Sequence, residues 1–109
     1  MAASVASSGT QTAVISTEHA VYDSATAGTF QFVVDTNNMV SGEIAELRVY
    51  SKTITSGGTY RQAAVITVTA VDASPLFISP PFMCPNGAKF TLKQTSGTGR
   101  AFDWAVWSI

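Results

Sequence analysis

At 109 residues, with 46% hydrophobic and only 12% charged side chains, the chain is long enough for one domain with a two-layer core and too apolar to be disordered. A net charge of −1 and a pI near 5.6 exclude the basic field that nucleic acid or an anionic membrane surface requires. Its one cysteine, Cys84, excludes an internal disulfide, and no apolar run approaches the length of a membrane span. The start, MAASVASSGTQ, lacks the basic region and apolar stretch of a signal peptide, so synthesis and folding in a cytoplasm are expected. An average soluble domain carries roughly 25% charged residues. Here 26 Ser and Thr residues must solvate much of the surface instead. Such a surface is cheap to desolvate, which favours a subunit packed against neighbours. The plainer account is a β domain rich in Thr because Thr suits strands.

In chain order, residues 1–10 are an Ala/Ser/Gly/Thr segment without aromatics, expected to form a flexible N-terminal arm ahead of a single domain over 11–109. Thr12 to Tyr22 contains a first strand, most apolar at Ala13 to Ile15, and DSATAG over Asp23 to Gly28 is turn material. Thr29 to Asp35 alternates Phe30, Phe32 and Val34 against Gln31 and Val33 and reads as a strand. After a loop with Asn37, Asn38, Ser41 and Gly42, Glu43 to Ile54 places Ala45, Leu47 and Val49 on one face. Glu46, Arg48, Tyr50 and Lys52 take the other, the pattern of a half-buried antiparallel strand. A short helix over Met39 to Leu47 is the local alternative, opposed by the β-branched run that follows. Ser56-Gly57-Gly58 turns the chain into Thr59 to Val71, a long strand that should twist or bulge. Asp72 to Pro75 breaks it. Pro75, Pro80, Pro81 and Pro85 then confine Leu76 to Ile78 and Phe82 to Cys84 to a sheet edge or an extended connection.

Asn86-Gly87 leads into the last twenty residues, which read as a β-hairpin. Phe90, Leu92 and Gln94 share one face; so do Phe102, Trp104 and Val106. Matching the apolar faces sets Leu92 opposite Phe102, Phe90 opposite Trp104 and Thr91 opposite Asp103, with Gln94 and Arg100 as the last pair. Trp104 is then expected in the core. Trp107 points to the opposite side, as an interface residue or under a covering loop. Seven or eight short strands with regular turn signals predict an all-β, antiparallel β-sandwich, Ig-like or jelly-roll-like.

The chemistry-bearing residues are sparse. His19 is the only histidine and has no GxSxG-type nucleophile context, which predicts an exposed strand-end residue rather than a catalytic base. One His and one Cys without local ligand spacing make a metal site unexpected. Cys84 reads as an apolar filler, and the dispersed carboxylates form no calcium loop. Gly97-Thr98-Gly99-Arg100 has the look of a phosphate cradle but lacks the Lys-Ser/Thr ending and the following helix, so it reads as a turn. Asp103 is expected to pair modestly with Lys89 or Lys93 across the hairpin. No catalytic residue, metal ligand or cofactor site is predicted.

The segments TFQFVVD, SGEIAELRVYSK, SGGTYRQ, ISPPF and FTLKQTSGTGRAFDWAVWSI resemble small proteins encoded in the virion-structure regions of tailed bacteriophages, over nearly everything from about residue 27 onward. The resemblance implies a non-enzymatic β-sandwich virion component, similar to the head decoration (cement) proteins that sit on the capsid surface. Its implied partners are the major capsid protein and further copies of itself, with neither nucleic acid nor membrane. Interface candidates on that reading are Ser4, Ser7 and Thr10 in the arm, Pro80 and Pro81, and Trp107. Other expectations are a glycan-binding module of a tail fibre or head spike using Trp107, Tyr50 or Tyr60, a tail-tube or connector subunit and, most distantly, a hydrolase.

Overall fold

The computed structural model describes residues 3–53, 58–69 and 75–109, which form strands joined by turns and contain no helix. In chain order the strands are β1 (Ser4–Thr12), β2 (His19–Ser24), β3 (Gly28–Asp35), β4 (Ile44–Ser51), β5 (Arg61–Thr69), β6 (Leu76–Ile78), β7 (Phe82–Cys84), β8 (Ala88–Ser96) and β9 (Ala101–Ser108). They build two antiparallel sheets. One, the β9 sheet, runs β1-β9-β3-β6, with β7 also on β3; the other, the β8 sheet, runs β2-β8-β4-β5. The protein is an all-β sandwich, and its core lies between the two sheets.

Period-two alternation explains that core. Phe30, Phe32 and Val34 of β3 and Phe102 and Val106 of β9 point inward from one sheet. Ala45, Leu47 and Val49 of β4 and Ala88, Phe90 and Leu92 of β8 meet them from the other. Phe90 is the hub. Its ring centroid lies 5.1 Å from that of Phe32, 6.0 Å from Tyr22 and 6.4 Å from Phe30. Tilted and edge-on contacts of this kind add to the stabilisation from area burial alone.

The last two strands do not form a hairpin. β8 pairs with β2 and β4, β9 pairs with β1 and β3, and the loop between them carries the chain from one sheet to the other. Leu92 therefore stands opposite His19 and Leu47, and Asp103 opposite Thr10 and Asp35, far from the lysines expected beside it. Inward alternation is the same for two strands side by side and for two strands facing each other across a core, so the pattern did not distinguish them.

Near the N-terminus, residues 4–10 lie within β1 along the edge of the β9 sheet rather than in a free arm. Main-chain pairing needs no large side chains, and those of Ser4, Val5, Ala6, Ser8, Gly9 and Thr10 remain exposed. Thr12 ends this strand, and the apolar stretch Ala13 to Ile15 is a connection, with a turn at Ile15 and Ser16 before β2. Residues 39–43 are loop and turn, not helix. The proline segment does form a sheet edge. β6 and β7 both pair with β3, and Ser79 bridges between them, donating its N–H to the Phe32 carbonyl and accepting the Phe32 N–H on its hydroxyl. The expected bulge occurs where β5 meets β4, between Val49 and Tyr50. The turn expected at Ser56 and Gly57 and the break at Asp72 lie outside the described residues.

Trp104 sits at the margin of the core, half-buried, where its indole lies over Gly9 of β1. Phe90→Ala is expected to cost about 3–5 kcal/mol, as for a fully buried aromatic, and Trp104→Ala clearly less. Urea unfolding of the two variants checks this; an equal or larger loss for Trp104→Ala would reverse the assignment of hub and margin.

Candidate docking surface

The residues that resemble chemical machinery are engaged in holding the fold. His19 Nε2 accepts the N–H of Val14 at 3.1 Å and so pins the β1–β2 connection. Cys84 is buried, its thiol donates to the Phe82 carbonyl, and burial pushes its pKa up. Among the described residues no three His, Cys, Asp or Glu side chains converge as metal ligands would.

The Gly97–Arg100 loop does cradle an anion, but the anion is the chain's own Glu43. That carboxylate, 3% exposed, accepts the N–H groups of Val40 and Thr98 at 2.8 and 3.0 Å and a forked pair of bonds from Arg100 Nε and Nη2 at about 3.0 Å. Arg100 foremost, with the backbone donors, outweighs the cost of burial and holds Glu43 at about 2, against an ordinary 4.5. Gln94, wholly buried, locks the same loop: its amide donates to the Ser96 and Thr98 carbonyls and its oxygen accepts the Arg100 N–H. Gly97 and Gly99 are there because a Cβ would strike the Glu43 side chain and the Ala13 carbonyl respectively.

The outer face of the β8 sheet is polar and largely self-satisfied. Glu18 accepts the hydroxyls of Tyr50 and Thr91, each at 2.6 Å. Burial would raise its pKa, but those hydroxyls and the charges of Arg48 and Lys89 win and lower it. Arg48 pairs with Glu46 at 2.7 Å and bonds Gln62 through Nε; its Nη1 has no acceptor among the described residues. Tyr60 donates to Asp23, and burial with that carboxylate pushes its pKa up to about 12. Lys52 lies over the Tyr60 ring and Lys89 over the Tyr50 ring, 4.5 and 5.2 Å from the centroids. The two tyrosines named as glycan platforms thus already hold partners.

The outer face of the β9 sheet is of the opposite character. Strand pairing sets its side chains in rows: Val5, Trp107 and Gln31; then Ser8, Ala105, Val33 and Ile78; then Thr10, Asp103, Asp35 and Leu76. Met83 stands beside Thr29, where the N–H of Ile109 reaches the Thr29 carbonyl. Of the eight exposed large apolar residues among those described, Val5, Leu76, Ile78, Met83 and Ile109 belong here, while Val14 and Val40 lie in loops and Val65 on β5. No Lys or Arg occurs in any strand of this sheet, and its only charges are Asp35 and Asp103, adjacent at one end.

Of the interface candidates read from the sequence, Trp107 and Thr10 share this face. Ser4 and Ser7 pair with Ser108 and Val106, whose side chains point the other way, and Pro80 and Pro81 are exposed on the β6–β7 edge. The sequence reading missed Val5, Ile78 and Met83, which are unremarkable until the pairing places them on the same face as Trp107. No protein-family model, curated protein or solved structure matches the chain.

Glu43 supplies a pH prediction. Its folded pKa is depressed, so its contribution is complete above 4.5 and is lost as pH falls through about 2. Melting temperature measured from pH 5 to pH 2 should therefore fall steeply for the wild type. Arg100→Ala should be less stable than wild type at pH 5 and fall less over the same range. Parallel acid limbs in the two proteins would remove the ion pair from the account.

Proposed function

We propose that the chain is a non-enzymatic structural subunit of a bacteriophage virion, a decoration protein that docks on the outer capsid shell through the exposed face of its β9 sheet. The observation that carries this reading is the contrast between the two outer faces. One satisfies its own polar groups; the other carries five exposed large apolar side chains on the same face as Trp107. Contiguous exposed apolar surface on a small domain marks a site of association rather than of catalysis. A protein that coats a shell needs rigidity and a broad surface that is cheap to desolvate, and this sandwich supplies both. The resemblance of its strand segments to virion-structure proteins supplies the setting. Engagement of His19, Cys84, Tyr50 and Tyr60 in internal contacts favours this reading over the hydrolase and over glycan stacking on the tyrosines.

Copies per particle in purified virions test the assignment: hundreds fit a shell subunit, a handful fit the tail. Ile78→Ser combined with Met83→Ser should melt like wild type, because both side chains project into solvent. Losing two apolar contacts of about 1 kcal/mol each should lower shell affinity roughly tenfold or more. Recovery of the protein only in isolated tails would overturn the shell assignment, and unchanged occupancy of the double variant would remove this face from the contact.

A further inference from the structure

The apolar face ends in two like charges side by side. Asp35 and Asp103 are direct partners across β3 and β9, where opposed Cα atoms in an antiparallel pair lie about 4.5–5.5 Å apart. Each has one local donor: Asp103 Oδ1 accepts the Thr10 hydroxyl at 2.7 Å, and Asp35 Oδ1 accepts the Asn37 N–H at 2.9 Å. Neither has an ion-pair partner among the described residues. Like charges directly opposite destabilise a sheet. Together with Val33, Leu76 and Ala105 the two aspartates line a groove of about 250 Å³. The juxtaposition is an apolar trough closed at one end by a pair of carboxylates.

This arrangement bears on what covers the face. A second copy applying the same face brings no Lys or Arg, so the carboxylates would be buried unpaired or set against two more, and burying unpaired charge is costly. The β8 face of another copy holds cations, but it is polar and does not match the apolar centre. Interfaces concentrate their binding energy in a few buried anchor residues, arginine prominent among them.

Resting on the docking reading above, we infer that the partner surface is apolar and presents one arginine, its methylene stem lying along Val33, Ala105 and Leu76 and its guanidinium taken by Asp35 and Asp103. Arginine fits better than lysine because its planar fork offers separate N–H groups to two carboxylates and is more weakly hydrated, hence cheaper to bury. The stem matches the apolar walls.

The test titrates N-acetyl-arginine amide into the isotope-labelled full chain and follows amide and indole resonances, with N-acetyl-norleucine amide and calcium chloride as controls. Expected are saturable shifts confined to Val33, Asp35 and residues 103–105, with norleucine amide, and arginine amide on Asp35→Asn/Asp103→Asn, binding at least about fivefold more weakly. The same double variant should lose shell occupancy while keeping its fold. Equal binding of the norleucine probe, reproduction of the shifts by calcium, an unchanged titration in the variant, or no saturation would overturn the inference. A wild-type protein absent from shells that nevertheless binds the arginine probe selectively would sink the shell assignment and leave the arginine site standing. Stronger binding of N-acetyl-lysine amide than of the arginine probe would overturn the choice of arginine.

Discussion

Between the two sheets, the chain from β8 to β9 turns on one buried carboxylate. Glu43 belongs to the loop before β4, yet its oxygens bind the Thr98 N–H and the Arg100 guanidinium in the loop after β8. Gln94, at the end of β8, closes the ring by binding carbonyls at Ser96 and Thr98 and the N–H of Arg100. A buried charge is tolerable only when paired and hydrogen-bonded, and every partner here except the Val40 N–H is lost if the loop opens. Because those partners sit on the crossing loop, satisfying Glu43 and sending β9 into the opposite sheet are one event. Both strands then become central in their sheets, and the core rows Phe90–Leu92 and Phe102–Val106 come from different layers.

The same knot shows what the sequence could and could not disclose. Alternation in TFQFVVD and EIAELRVYS correctly marks which residues of β3 and β4 face the core, since period two and burial are local properties. The prolines correctly mark a sheet edge, because a residue without an N–H cannot sit in a ladder's interior. Strand neighbours are another matter. Phe90, Leu92, Phe102 and Trp104 face inward in a hairpin and in a crossing alike, so nearness in sequence won by default. One signal was present. Gln94 continues the apolar face of Phe90 and Leu92, and a polar residue there must find buried partners. A hairpin end would have left it in water; a crossing loop folded back over it supplies three bonds.

A similar limit hid the docking face. The cations of the chain lie in EIAELRVYSK, at Arg61, in β8 and at Arg100 in the loop after it, while β1, β3 and β9 have none. That division is visible in the letters but meaningless until β1, β3 and β9 are known to share a sheet. Val5 and Ile78 lie 73 positions apart and come onto one surface only through two intervening strands. Isolated exposed apolar residues need no explanation, and a row of them does. Trp107 was legible as a residue on the far side of its strand, and its partial exposure follows from the sandwich having only two layers.

β1 ties these features together. Its side chains add little to the core, and as an edge strand with one unpaired flank it is held mainly by β9. It nevertheless supplies Val5 beside Trp107, Gly9 beneath Trp104 and the Thr10 hydroxyl on Asp103. Removing it would take little apolar area from the core but would strip one border from the docking face and leave Asp103 without that donor. Small residues suit this position. A larger residue at Gly9 would crowd the Trp104 ring, whose nearest carbon already lies 3.3 Å from where a Cβ would stand. The segment that composition alone marks as a loose arm is an edge strand, and on the docking proposal it forms the rim of the contact surface. It is light enough to pair through its backbone alone, yet it touches both tryptophans of β9 and the acidic Asp103.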